Sequence, residues 1–107
     1  MTTRPLVELA KTIRSKNAGV DQITFDIVFP DRATYDLVRR SGALTPEAII
    51  RLYAIPAERL TAFVEYDPAP AIKFTIRRER PSGSPGERDV FGAQQYAPLF
   101  DLPIPVD

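Results

Sequence analysis

Apolar residues recur along the chain with two different periods, and the switches between them divide it into elements. Leu6, Leu9, Ala10 and Ile13 fall at i, i+3, i+4 and i+7, which predicts a helix over about Arg4–Lys16. Thr3 is its cap, Pro5 sits in its first turn, and Asn17 or Gly19 supplies a left-handed stop. The period then drops to two. Ile23, Phe25, Ile27 and Phe29 share one face of a strand, with Thr24, Asp26 and Val28 on the other, and Pro30 ends it. Asp31 opens a helix to about Arg40, with Tyr35 and Val38 inward and Gly42 as its stop. Thr45 and Pro46 open another that ends before Pro56, with Leu44 and Ile49 at the spacing of a hydrophobic staple.

Two more strands follow at Leu60–Tyr66 and Ala71–Arg78, joined by the stiff turn Asp67-Pro-Ala-Pro70. Ile72, Phe74 and Ile76 point one way in the latter, Lys73, Thr75 and Arg77 the other. Beyond Arg80 the texture changes: residues 81–107 hold five of the eleven prolines and three of the five glycines. Val90, Phe91, Tyr96, Leu99, Phe100, Leu102, Ile104 and Val106 are nevertheless too much apolar surface for a solvated tail, which predicts a docked arm. In Leu102-Pro-Ile-Pro-Val106 the prolines alternate with apolar residues, as in an edge strand paired on one side only.

These elements predict an α+β fold, a ferredoxin-like-related sheet of three to four mostly antiparallel strands with helices on one face and a Pro/Gly-rich C-terminal arm. The helical crossover makes the first two strands parallel, the third inserts antiparallel between them, and Leu102–Val106 pairs at the free edge. The N-terminal helix packs on the same side as the crossover. The uncovered face is then expected to carry Thr24, Asp26, Val28, Thr61, Phe63, Glu65, Lys73, Thr75 and Arg77. It reads either as a solvated surface of paired charges or, through Val28 and Phe63, as a docking face.

The chain has 107 residues, read as one domain with a core at 4–79 and the arm at 80–107. Lys plus Arg and Asp plus Glu number 14 each, so no global field favours nucleic acid or a membrane surface, and no apolar run approaches a span. Cysteine and histidine are both absent, which removes disulfides, thiolate and imidazole metal ligands and the usual proton-transfer side chain. The expectation is a cytoplasmic protein with no metal and no cofactor, not catalytic on its own.

Two segments carry candidate chemistry. Arg14-Ser-Lys-Asn-Ala-Gly19 reads as a helix stop whose Ser15, Lys16 and Asn17 offer donors to a carboxylate or phosphate. Pro81-Ser-Gly-Ser-Pro-Gly-Glu-Arg-Asp89 leads to Phe91-Gly-Ala-Gln-Gln-Tyr96. Its small residues let backbone amides approach a ligand, although the spacing is not that of a phosphate loop. The binding candidates there are Ser82, Gly83, Ser84, Gly86, Arg88, Asp89, Gln94 and Gln95. Asp26, Glu65, Glu87 and Asp89 are the carboxylates open to acid–base work, with Lys16 and Asp89 the catalytic candidates.

Arg14-Ser-Lys-Asn-Ala-Gly19, Ile23-Thr-Phe-Asp-Ile27, Gly42-Ala-Leu-Thr-Pro46, Ser82-Gly-Ser-Pro-Gly86, Arg88-Asp89 and Gly92-Ala-Gln-Gln95 together resemble, in order, the signatures of the small AtuA-related proteins. This is a family of short bacterial proteins known as a domain of unknown function. Members can carry histidine after the paired glutamines, where this chain has Tyr96. The resemblance implies likeness to the ferredoxin-like C-terminal domain of AtuA-like proteins, which are associated with catabolism of acyclic terpenoid and other branched acids as acyl-CoA derivatives. It therefore implies an accessory subunit that docks on an AtuA-like large protein and shares its site, within a hydro-lyase or other acyl-CoA-processing enzyme. Two alternatives stand beside it: a small hydratase or isomerase acting on a carboxylate or CoA thioester, and a ligand-binding homo-oligomer without catalysis.

Overall fold

The computed structural model describes residues 2–19, 21–77 and 97–106. Its N-terminal part departs from the expected helix. A short strand β1 (Thr3–Pro5) runs into a single helical turn α1 (Leu6–Leu9), and the chain then extends as β2 (Thr12–Asn17). Leu6 and Leu9 are buried as the helical spacing requires. From Thr12 onward, however, the alternation of Ile13, Ser15 and Asn17 with Thr12, Arg14 and Lys16 fits a strand equally well. The β-branched, Ser and Asn residues favour that outcome, and pairing with the next strand, β3 (Gln22–Val28), fixes it. Asn17 is thus not a helix stop. Gly19 does take a left-handed conformation (φ +97°), in the β2–β3 turn, where the Ala18 N–H donates to the Gln22 carbonyl at 2.8 Å.

The two middle helices form as their caps predict. In α2 (Arg32–Ser41) the Asp31 carboxylate accepts from the Thr34 N–H, which holds that carboxyl below its ordinary range, and Gly42 ends the helix at φ +74°. In α3 (Pro46–Tyr53) the Thr45 hydroxyl accepts from the Ala48 N–H, and Leu44 and Ile49 are both buried. A 3₁₀ turn (Ala57–Arg59) leads to β4 (Leu60–Tyr66), the tight turn and β5 (Ala71–Arg77).

Strands β2 to β5 form an antiparallel sheet in the order β2-β3-β5-β4. Since β3 and β4 are each antiparallel to β5, they run parallel to one another with β5 between them, as the crossover argument requires. The outer edge beside β3 is held by β2, not by Leu102–Val106. That segment forms β6 (Pro103–Pro105), which pairs with β1 in a separate two-stranded sheet. The Val106 N–H donates to the Thr2 carbonyl there, so the one-sided pairing inferred from the prolines holds with a different partner. After α4 (Ala97–Phe100), Leu99 and Ile104 are fully buried in the main core, so the end of the arm is docked.

The core lies on the helix side of the sheet. Phe25 and Phe74 stack at 4.5 Å, with Tyr53 tilted over Phe25 at 5.4 Å and burial pushing the Tyr53 hydroxyl pKa up. A bulge between Leu60 and Ala62 changes the reading of β4. One extra residue turns both Leu60 and Phe63 toward the core, where Phe63 stacks on Phe74 at 6.3 Å. Phe63 and Glu65 therefore face the helices, and Ala62, Val64 and Tyr66 take the open face instead. Among the described residues no helix is long and apolar enough to cross a membrane.

Candidate functional site

The register defines the open face of the four-stranded sheet row by row. Arg14, Asp26, Lys73 and Val64 lie side by side across β2, β3, β5 and β4. The next row holds Lys16, Thr24, Thr75 and Ala62, and beyond it Gln22 is opposite Arg77. Strand residues of this face thus present the cations Arg14, Lys16, Lys73 and Arg77 against the single carboxylate of Asp26. A chain of zero net charge has been sorted by its fold into a cationic face. The sequence reading missed this for two reasons: it placed Arg14 and Lys16 at a helix end, and it set Glu65 on this side of the sheet.

Asp26 organises the centre of the face. Its side chain is only 11% exposed; the Arg14 Nε donates to Oδ2 at 3.3 Å, and the Lys73 Nζ lies 3.9 Å from Oδ1. Lys73 also sits over the Tyr66 ring at 5.3 Å. Toward the β2–β3 turn, the Thr24 and Thr75 hydroxyls are hydrogen-bonded at 3.2 Å between Lys16 and Arg77. The Arg59 Nε donates to the Arg77 carbonyl at 2.8 Å and steadies that end of β5. Among the described residues neither Lys16 nor Arg77 has an ion-pair partner, and both side chains are exposed.

The first candidate segment is divided between two faces. Lys16 is exposed on the open face, whereas Ser15 is buried beside Phe25 on the core side and Asn17 is half-buried on that side. The second segment, with Ser82, Gly83, Ser84, Gly86, Glu87, Arg88, Asp89, Gln94 and Gln95, lies outside the described residues. Arg77, where β5 ends, is in register with Gln22 at the end of the sheet that carries Lys16 and Asn17. Of the candidate acids, Asp26 and Glu65 are on opposite faces, so the described structure brings no two of them together. Among the described residues no three Asp or Glu side chains are grouped to share a cation.

Glu65 belongs to a different cluster, on the helix side. Its carboxylate meets the Arg39 Nε at 3.5 Å, and Arg39 and Arg32 lie over the Tyr35 ring at 5.1 and 5.4 Å. The Tyr35 hydroxyl donates to Asp67 Oδ1 at 2.7 Å, and Arg32 donates to the Asp67 carbonyl. This ties α2 to the β4–β5 turn. Burial first, and the neighbouring Asp67 carboxylate second, push the Tyr35 pKa up to about 12. A second surface feature is an open depression of about 370 Å³ between α3 and β6, whose lining of Ala43, Ala48, Leu52, Leu102 and Pro103 is apolar apart from Arg51.

Fold and site define the class: a small α+β protein whose four-stranded antiparallel sheet is covered on one face and cationic on the other. The chain belongs to the family described as domain of unknown function DUF4387, which matches it over residues 6–103. No curated protein and no solved structure matches it.

Proposed function

We propose that this chain is an accessory subunit that docks on an AtuA-like large protein acting on acyclic terpenoid or branched acids as acyl-CoA derivatives, and that it contributes to a shared site. The observation that carries the proposal is the open sheet face. It holds four cations against one carboxylate, with Val64 and Tyr66 adding exposed apolar area. Such a face, on a chain with neither His nor Cys, suits recognition of an anionic surface or ligand better than independent chemistry. What supports the resemblance in the fold is the order β2-β3-β5-β4, in which β5 lies antiparallel between the parallel β3 and β4 and the edge strand comes from the N-terminal side. Lys16, at the β2–β3 end of the face, and the sequence Ser82–Gln95 are the parts assigned to the shared site. Nucleic acid is the weaker reading of the same charge, because among the described residues Tyr66 is the one aromatic on the face and base recognition on a sheet stacks two or three.

The test is co-expression with an AtuA-like large protein, followed by size-exclusion chromatography and an acyl-CoA turnover assay. Co-elution, with turnover that needs both chains, is the expected result. A small chain that elutes alone at every salt concentration and leaves turnover unchanged overturns the proposal.

A further inference from the structure

The outer edge of β4 supports an inference beyond that docking reading. Nothing among the described residues pairs with this edge, and the strand is the most exposed in the sheet. Val64 and Tyr66, 47% and 42% exposed, are two of the three large apolar residues left open on the described surface; the third, Val7, is on α1. Protein sheets usually blunt an open edge with lysine, proline or an inward charge. β4 contains neither lysine nor proline; its one charged side chain, Glu65, points inward but is matched by Arg39 of the same chain, and its protective bulge is confined to Leu60/Ala62, leaving Ala62–Tyr66 regular. The opposite edge, β2, carries Arg14 and Lys16 and is protected in the ordinary way.

We infer that β4 pairs antiparallel with β4 of a second copy, joining two four-stranded sheets into one continuous sheet. Identical strands satisfy each other's outward backbone groups reciprocally about a two-fold axis. The geometry also selects a register. The bulge at Leu60/Ala62 leaves Ala62–Tyr66 as the regular stretch, and its centre is Val64. Full overlap then places Val64 beside its counterpart and the large Tyr66 opposite the small Ala62, on the open side. The Glu65 side chains are opposite Phe63 rather than each other, so no unpaired like charges meet. The axis is perpendicular to the sheet, so both cationic faces look the same way and could engage a two-fold partner. An edge contact of this length is at the small end of stable interfaces, so the dimer is expected to form and dissociate with concentration.

Sedimentation velocity on the full chain over a concentration series tests this, beside Val64→Lys and a Val7→Lys control with unchanged circular dichroism. Wild type and Val7→Lys are expected to pass from monomer to dimer, with Val64→Lys monomeric throughout. Because the chain lacks cysteine, Val64→Cys also introduces a lone thiol that a short bis-maleimide should join into a covalent dimer, whereas Val7→Cys should not be joined. A wild-type chain monomeric at all concentrations overturns the inference. So does a dimer that survives Val64→Lys, or one cross-linked equally well through either thiol.

Discussion

Replacing Asp26 by Asn separates what this carboxylate does for the fold from what the face does for a partner. The side chain is nearly isosteric, so packing is kept while the only negative charge among the strand residues of the open face is lost. Arg14 and Lys73, at 3.3 and 3.9 Å, then face each other without their shared anion. A charged hydrogen bond to a buried group contributes about 1.5–3 kcal/mol, and an exposed ion pair about 0–1 kcal/mol. Asp26 is 11% exposed, but its partners are 67% and 48% exposed, so solvent screens much of the attraction. A net loss of about 1–1.5 kcal/mol follows, or roughly 4–12 °C in Tm for a chain of this size. Urea melts of both proteins in low salt and in about 1 M salt measure it, and screening should close roughly half the gap. Docking should be undiminished, because the face becomes more cationic. Equal stability of the two proteins, or a loss indifferent to salt, refutes the ion-pair account. A stable Asp26→Asn chain that no longer docks would make Asp26 a contact or acid–base group instead.

Tyr35→Phe removes the hydroxyl bonded to Asp67 and should cost about 1 kcal/mol in a denaturant melt, since the Asp67 carboxylate stays solvated. The same residue sets an alkaline limit. Its pKa rises from 10.0 to about 12 on folding, so its contribution is complete below pH 10 and is lost as pH climbs toward 12. Melts across that window should fall steeply for wild type and less steeply for Tyr35→Phe, with the raised Tyr53 supplying the remaining slope; equal slopes would contradict this. Ile104→Ala should cost about 2–4 kcal/mol if the docked arm is part of the core, whereas a loss below about 0.5 kcal/mol would make it dispensable.

Where local chemistry determines structure, the sequence was readable. Asp31, Thr45 and Pro46 marked the starts of α2 and α3, Gly42 ended α2, and the alternation in β3 and β5 identified the inward residues. The N-terminal part was not readable, because Leu6, Leu9 and Ile13 satisfy a helical stripe and are also packed on the core, Ile13 only partly buried, by one turn followed by a strand; only pairing with β3 decides between them. The bulge in β4 likewise has no proline or glycine to announce it, and it arises because Leu60 and Phe63, three residues apart, both gain by facing the core. These two tertiary effects hid the candidate site. Lys16 was selected for its chemistry, but its place among Arg14, Lys73 and Arg77 depends on β2 being an edge strand. The eight apolar residues beyond Arg80 pointed to a docked arm, and its described end, 97–106, is docked, but they did not reveal that β1 would be its partner.

The central claim is that the cationic sheet face docks this chain on its partner. The direct measurement is binding of the AtuA-like large protein, by calorimetry at two salt concentrations, to the wild-type chain and to the Lys16→Glu/Arg77→Glu variant, both exposed positions remote from the core. The account predicts that wild type binds and weakens with salt, and that the variant loses at least about tenfold in affinity with its fold intact. Equal binding by the folded variant, or no binding by wild type, contradicts it.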